Sequence, residues 1–163
     1  MLDLEFSSEY YYIKRSAIVE KIRFDNRTFY AKFERIDEPL TPLIVEQHLH
    51  REYTIAVPLL EENKTNYLVI EYNGEAYERF YHLVKHLLKT LEITHYHIYE
   101  GKNIERLQLF IEVDKLTLEE ADEQLATLSS ALKERMTKNW KCLPSSTLPI
   151  EYNIVTLPYK RID

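Results

Sequence analysis

Between residues 66 and 158 the hydrophobic period switches back and forth between two and about 3.6, and the order of those switches restricts the fold more than any other feature. "NYLVIEY" (66–72) is rich in β-branched and aromatic residues and ends at the turn signal "NG". "EAYERFYHLVKHLLKTLEI" (75–93) follows, with Ala76, Phe80, Leu83, Val84, Leu87 and Leu91 on one helical arc. "HYHIYEGK" (95–102) and "RLQLFIEV" (106–113) alternate across a short link, which predicts an antiparallel hairpin. "TLEEADEQLATLSSALKERM" opens with Thr117 and Glu120 at capping-box spacing and repeats Leu118, Ala121, Leu125, Leu128 and Leu132 at three and four. "PIEYNIVTLP" (149–158) is then read as the closing strand. The order strand, helix, strand, strand, helix, strand is the split βαβ, or ferredoxin-like, arrangement. The expected class is therefore α+β, with one antiparallel sheet carrying both helices on one face.

Residues 1–63 read as a smaller α+β unit that docks on residues 64–163. "EYYYIKR" suggests a strand, "EKIRF" and "TFYAKFERI" flank "DNR" as a hairpin, and Thr41 and Pro42 open a short helix, "PLIVEQHLH". "EYTIAVPLL" closes the unit as another strand. A piece this small buries too little surface to stand alone.

Only Gly74 and Gly101 are glycine, where an average composition would supply roughly eleven. Phosphate loops of the Walker and dinucleotide types need several glycines for close backbone approach, so those enzymes are set aside. The net charge of -6 opposes generic affinity for nucleic-acid backbones. No apolar run reaches the roughly 18 residues of a membrane span, so no membrane partner is expected. The acidic start and the single cysteine suit a cytoplasmic protein.

Strand alternation sorts the side chains of the sheet. With Leu107, Leu109, Ile111 and Val113 toward the helices, Arg106, Gln108, Phe110 and Glu112 face the other way. Tyr96 and Ile98 face the helices, and His95, His97 and Tyr99 the open side; Leu68, Ile70 and Tyr72 point inward, and Tyr67, Val69 and Glu71 outward. The open face would carry Glu71, His97, Tyr99, Arg106, Gln108 and Phe110, a polar and aromatic surface of the kind that stacks bases. The same face must otherwise be covered, and the N-terminal tyrosines are available to cover it. In that reading Tyr11 and Ile13 fill the joint between the units, and Tyr10, Tyr12 and Lys14 border a groove. His82 and His86 have metal-ligand spacing but fall opposite the apolar arc, among charged residues, and are read as surface histidines. Cys142, directly before Leu143 and two residues after Trp140, is read as a buried thiol. No metal and no cofactor is implied.

Two resemblances follow. "YYYIKRSAIVEKI", "FYAKFERIDEPLT", "VIEYNGEAYERFYHLVKHLL" and "NIVTLPY" resemble an epsilonproteobacterial family classed as a domain of unknown function, which implies no activity. The strand with Glu71 near its end, the hairpin "YHIYEGKNIERLQLFI" and the late strand ending in "LP" are similar in order to the core of archaeo-eukaryotic primases. That family holds divalent metals with paired acids and contacts the nucleotide with a histidine. Here the acid pair reads Glu71 and Asn73, and Arg106 and Gln108 stand where the histidine would be. The expectation is a noncatalytic binding or adaptor protein with a protein partner. Its rival is a degenerate primase-like domain that retains nucleotide or single-stranded nucleic-acid binding.

Overall fold

The computed structural model describes residues 3–6 and 9–163. The C-terminal part runs β6 (Lys64–Asn73), α2 (Tyr77–Thr90), β7 (Tyr96–Glu100), β8 (Arg106–Thr117), α3 (Leu118–Lys133) and β9 (Trp140–Leu143), preceded by β1 to β5 and α1 and followed by β10 and β11. The strands of this part and the terminal β11 (Lys160–Arg161) form a five-stranded antiparallel sheet in the order β11-β7-β8-β6-β9. Both helices cover one face. Phe80, Val84 and Leu88 of α2 and Ala121, Leu125, Leu128 and Leu132 of α3 pack on Leu68, Ile70, Ile98, Leu107, Leu109 and Ile111, the alternate set that strand periodicity assigns to that side. α3 begins as expected: the Thr117 hydroxyl accepts the Glu120 N–H and the Glu120 carboxylate accepts the Thr117 N–H.

Three expectations need correction. The strand beside β6 is β9, with Trp140 opposite Tyr72 and Leu143 opposite Val69. The segment 149–158 is instead a short 3-10 turn (Ile150–Tyr152) and β10 (Ile154–Thr156), which belongs to the other sheet. In the sequence, "WKCL" shows almost no period, because four residues interrupted by Lys141 are too few to establish one, whereas 149–158 has the stronger strand pattern. The helix α2 is also shorter than 75–93. Ala76 is its N-cap, Leu91 lies exposed beyond its last turn, and Leu88 takes the place in the core that the arc assigned to them.

The second sheet has the order β10-β5-β1-β4, all antiparallel, and combines β1 (Tyr11–Lys14), β4 (Phe33–Ile36) and β5 (Ile55–Pro58) with β10 from the far end of the chain. The hairpin of β2 (Glu20–Phe24) and β3 (Arg27–Ala31) stands as a separate ribbon. Its two-residue turn puts Asp25 and Asn26 at φ 49° and 60°, the left-handed pair that matches strand twist. Tyr11, Val57 and Val155 of the smaller sheet pack against Tyr67, Val69, Tyr99, Phe110 and Leu143 of the larger one. The molecule is thus three layers: helices, five-stranded sheet, four-stranded sheet.

The short helix α1 (Pro42–Leu49) is capped by the Thr41 hydroxyl, which accepts the Ile44 N–H, and it delivers His48 to the core. His48 Nδ1 accepts the Ile55 N–H at 3.0 Å, so Nε2 carries the proton and donates to the Leu157 carbonyl at 2.7 Å. One imidazole therefore joins the helix, β5 and the crossover between β10 and β11. The ring stacks on Tyr159 at 4.3 Å, and Arg51 lies over the same tyrosine. Burial pushes the His48 pKa down, partly offset by the bond to the Leu157 carbonyl.

Candidate ligand-binding cleft

Of the two alternatives for the sheet face away from the helices, open or covered, the structure shows it mostly covered by the smaller sheet, and the predicted site residues separate accordingly. Phe110 and Tyr99 are inside the joint between the sheets. Phe110 meets Tyr67 and Tyr99 edge to face, and the Tyr99 hydroxyl accepts the Asp3 N–H at 3.0 Å. Both fill the core, so neither is a surface contact for a ligand. His97 is half-buried beside Glu112, which also approaches His95. Tyr10 stacks on the Arg35 guanidinium, 3.8 Å from the ring centre, and lines a cavity at the start of β6 together with Glu5, Glu9, Glu61 and Glu62. Tyr10 and Lys14 thus do not border the same groove.

The others converge. Glu71, Asn73, Arg106, Gln108 and Lys14 line a cleft of about 700 Å³ at the opposite end of β6, where the rims of both sheets meet. Alternation along β6 and β8 brings Glu71 opposite Gln108 and Asn73 opposite Arg106. The Gln108 side-chain amide donates to Glu71 at 2.9 Å and to the Thr156 carbonyl at 2.8 Å, tying the two sheets at the cleft floor. Glu71 also pairs with Lys141 at 3.3 Å.

The electrostatics oppose those of the molecule as a whole. Five cations, Lys14, Lys102, Arg106, Lys138 and Lys141, line the cleft against a single carboxylate, Glu71, in a chain of net charge -6. Among the described residues only Lys141 of the five has an ion pair within 4.0 Å. A concave wall of one sign concentrates field and attracts counter-charge. Lys102, Lys138, Lys141 and Asn139 were not among the sequence candidates. Their signal was the run "KNWK" (138–141) directly after a helix, which reads as solvated loop until the chain is folded.

Tyr72 also lines the cleft; its ring stacks on Phe80 at 4.7 Å, and its hydroxyl is buried without a hydrogen-bond partner among the described residues. A Cβ on Gly74 would lie 2.7 Å from that hydroxyl and 3.4 Å from the Asn139 side-chain nitrogen. The stacked ring cannot withdraw, so Gly74→Ala is expected to lower stability by about 1–3 kcal/mol, read as a lower urea midpoint. Tyr12, which does not line this cleft, is buried, and burial pushes its phenol up to about 12.

The donors in the cleft are ammonium, guanidinium and amide groups, suited to holding an anion. His82 and His86 are exposed on α2, and among the described residues no group of three or more His, Cys, Asp or Glu is placed to hold a metal ion. Cys142 sits half-buried on β9, its thiol pushed up by burial. No helix is long and apolar enough to cross a membrane.

No curated protein matches the chain. The stretches at 69–88 and 153–159 that carried part of the family resemblance lie outside the matched region. Residues 2–66, from the N-terminal segment to the start of β6, match the family described as Domain of unknown function (DUF1882).

Proposed function

We propose that this chain is a noncatalytic binding protein that takes an anionic ligand in the cleft at the rim of the two sheets. The observation that carries the reading is the reversal of charge there: five cations against one carboxylate in an acidic protein. The ferredoxin-like reading belongs to the same proposal. It is supported by the order β7-β8-β6-β9, in which the first and third strands of the unit are central and the fourth lies beside the first. No observation favours a metal-dependent nucleotidyl-transfer site. Glu71 is engaged by Lys141 and Gln108, and among the described residues no second carboxylate lines the cleft beside it.

Inorganic polyphosphate is the simplest probe. It is expected to raise the Tm at low ionic strength, because a ligand of the folded state stabilises it, and the shift is expected to shrink in salt. Reversing two unpaired cations together, Arg106→Glu with Lys138→Glu, is expected to weaken binding roughly tenfold or more, since each lost attraction becomes a repulsion. An unchanged affinity in that double variant, or no shift with the wild-type protein, would sink the proposal.

A further inference from the structure

The basic cleft continues into a second cavity of about 760 Å³ under the β2–β3 ribbon. Lys14, Phe33, Glu71, Lys141 and Thr156 line both, so the two form one trough with Lys14 and Lys141 at the junction. The second lobe differs in chemistry. Aromatic and aliphatic side chains, among them Tyr12, Ile18, Tyr30, Phe33 and Tyr152, make up much of its wall, and Lys32 and Arg35 line it together with Glu20 and Glu151. Tyr30, on β3, and Ile18, in the connection between β1 and β2, are 60% and 54% exposed there.

Each lobe also holds an unsatisfied hydroxyl: Tyr72 in the basic lobe and Tyr152 in the aromatic one are buried at their oxygens without a partner among the described residues. A buried phenol normally finds a partner. Both oxygens are closed to solvent, so these hydroxyls belong to the walls of the trough and are not ligand contacts.

Resting on the anion-binding reading above, we propose that the ligand is single-stranded nucleic acid. Its phosphates lie along Lys14, Lys141, Lys138 and Arg106, and its bases stack in the aromatic lobe on Tyr30 and Phe33. Aromatic platforms beside a cationic track are the two elements such binding needs. A free phosphate chain would use the cationic track alone and leave the aromatic lobe idle. A duplex keeps its bases paired and away from such walls, and the acidic cavity at the other end of β6 opposes a long backbone contact. The trough therefore takes a short unpaired stretch.

The test is fluorescence anisotropy at low salt with the full chain. The probes are a labelled single strand of about ten nucleotides, an abasic strand of equal length, the matching duplex and inorganic polyphosphate. The single strand is expected to bind about tenfold more tightly than each of the other three. Tyr30→Ala, at an exposed position, is expected to bring the single strand down to the abasic level with no change in Tm, while Arg106→Glu with Lys138→Glu weakens all of them. Equal binding of the abasic strand, the duplex or polyphosphate, or an undiminished single-strand affinity in Tyr30→Ala, would overturn the nucleic-acid inference and leave the anion cleft standing. Binding of none of the four would overturn both.

Discussion

Replacing Phe110 by alanine is expected to lower the free energy of unfolding by about 3–5 kcal/mol, the range for a large aromatic side chain removed from a packed core. Phe110 is fully buried. It touches Phe6, Tyr67 and Tyr99 in edge-to-face geometry, with ring centres 6.4, 6.1 and 5.9 Å away. The surrounding strands are held by ladder hydrogen bonds on both sides of β8, so the space cannot collapse without breaking register. Urea unfolding followed by tyrosine fluorescence would measure it. A cost under about 0.5 kcal/mol is what a surface position gives, and that result would mean the smaller sheet does not cover this face. The Tyr30→Ala variant supplies the contrast, because an exposed ribbon residue is expected to leave the urea midpoint where it was.

His48→Ala is expected to cost about 2–5 kcal/mol. It opens a cavity and strands two buried backbone groups at once, the Ile55 N–H and the Leu157 carbonyl. His48→Gln, which has both a donor and an acceptor, is expected to recover part of that loss. The histidine also makes stability depend on pH. Its folded pKa is pushed below the usual 6.5 by burial, so on acidification the unfolded chain takes up this proton first. This contribution is fully present above pH 6.5 and declines as the pH falls below it. It levels off only once the folded imidazole is also protonated. The urea midpoint of the wild-type protein is therefore expected to fall on the acid side of pH 6.5, and the fall is expected to be shallower in His48→Gln. Equal slopes in the two proteins would assign the acid sensitivity to other groups.

His48 also shows where reading along the chain stops. As one histidine in "EQHLH" it carried no mark that distinguished it from His50, and the pairing of the two as neighbours gave no reason to place one in the core. Its partners are seven and 109 residues away. No local pattern encodes a contact at that separation. The basic cleft has the same origin. Lys14, Lys102, Arg106 and Lys138 come from four separate connections or strand ends, each an ordinary solvated cation until the two rims meet.

Sequence alone determined which side of each strand in residues 66–113 faces the helices, where α3 begins, and that the chain reverses as a hairpin near "DNR", although the expected second arm "TFYAKFERI" breaks at Lys32 into β3 and β4, of which β4 joins the four-stranded sheet. These properties depend on a period of two, a cap three residues from its partner and a two-residue turn, all set by near neighbours. It also put Glu71 and Gln108 on the side away from the helices, where the Gln108 amide donates to Glu71. Only the tertiary structure decided that β10 leaves the larger sheet to pair with β5 and that β9 takes the place beside β6. An apolar alternating segment has the same pattern whichever sheet accepts it, so the choice rests on which free edge is in reach and which core it completes. That choice puts the smaller sheet over Tyr99 and Phe110. It leaves the end of β6, with Glu71 and the cations around it, as an uncovered part of the face that lines the cleft.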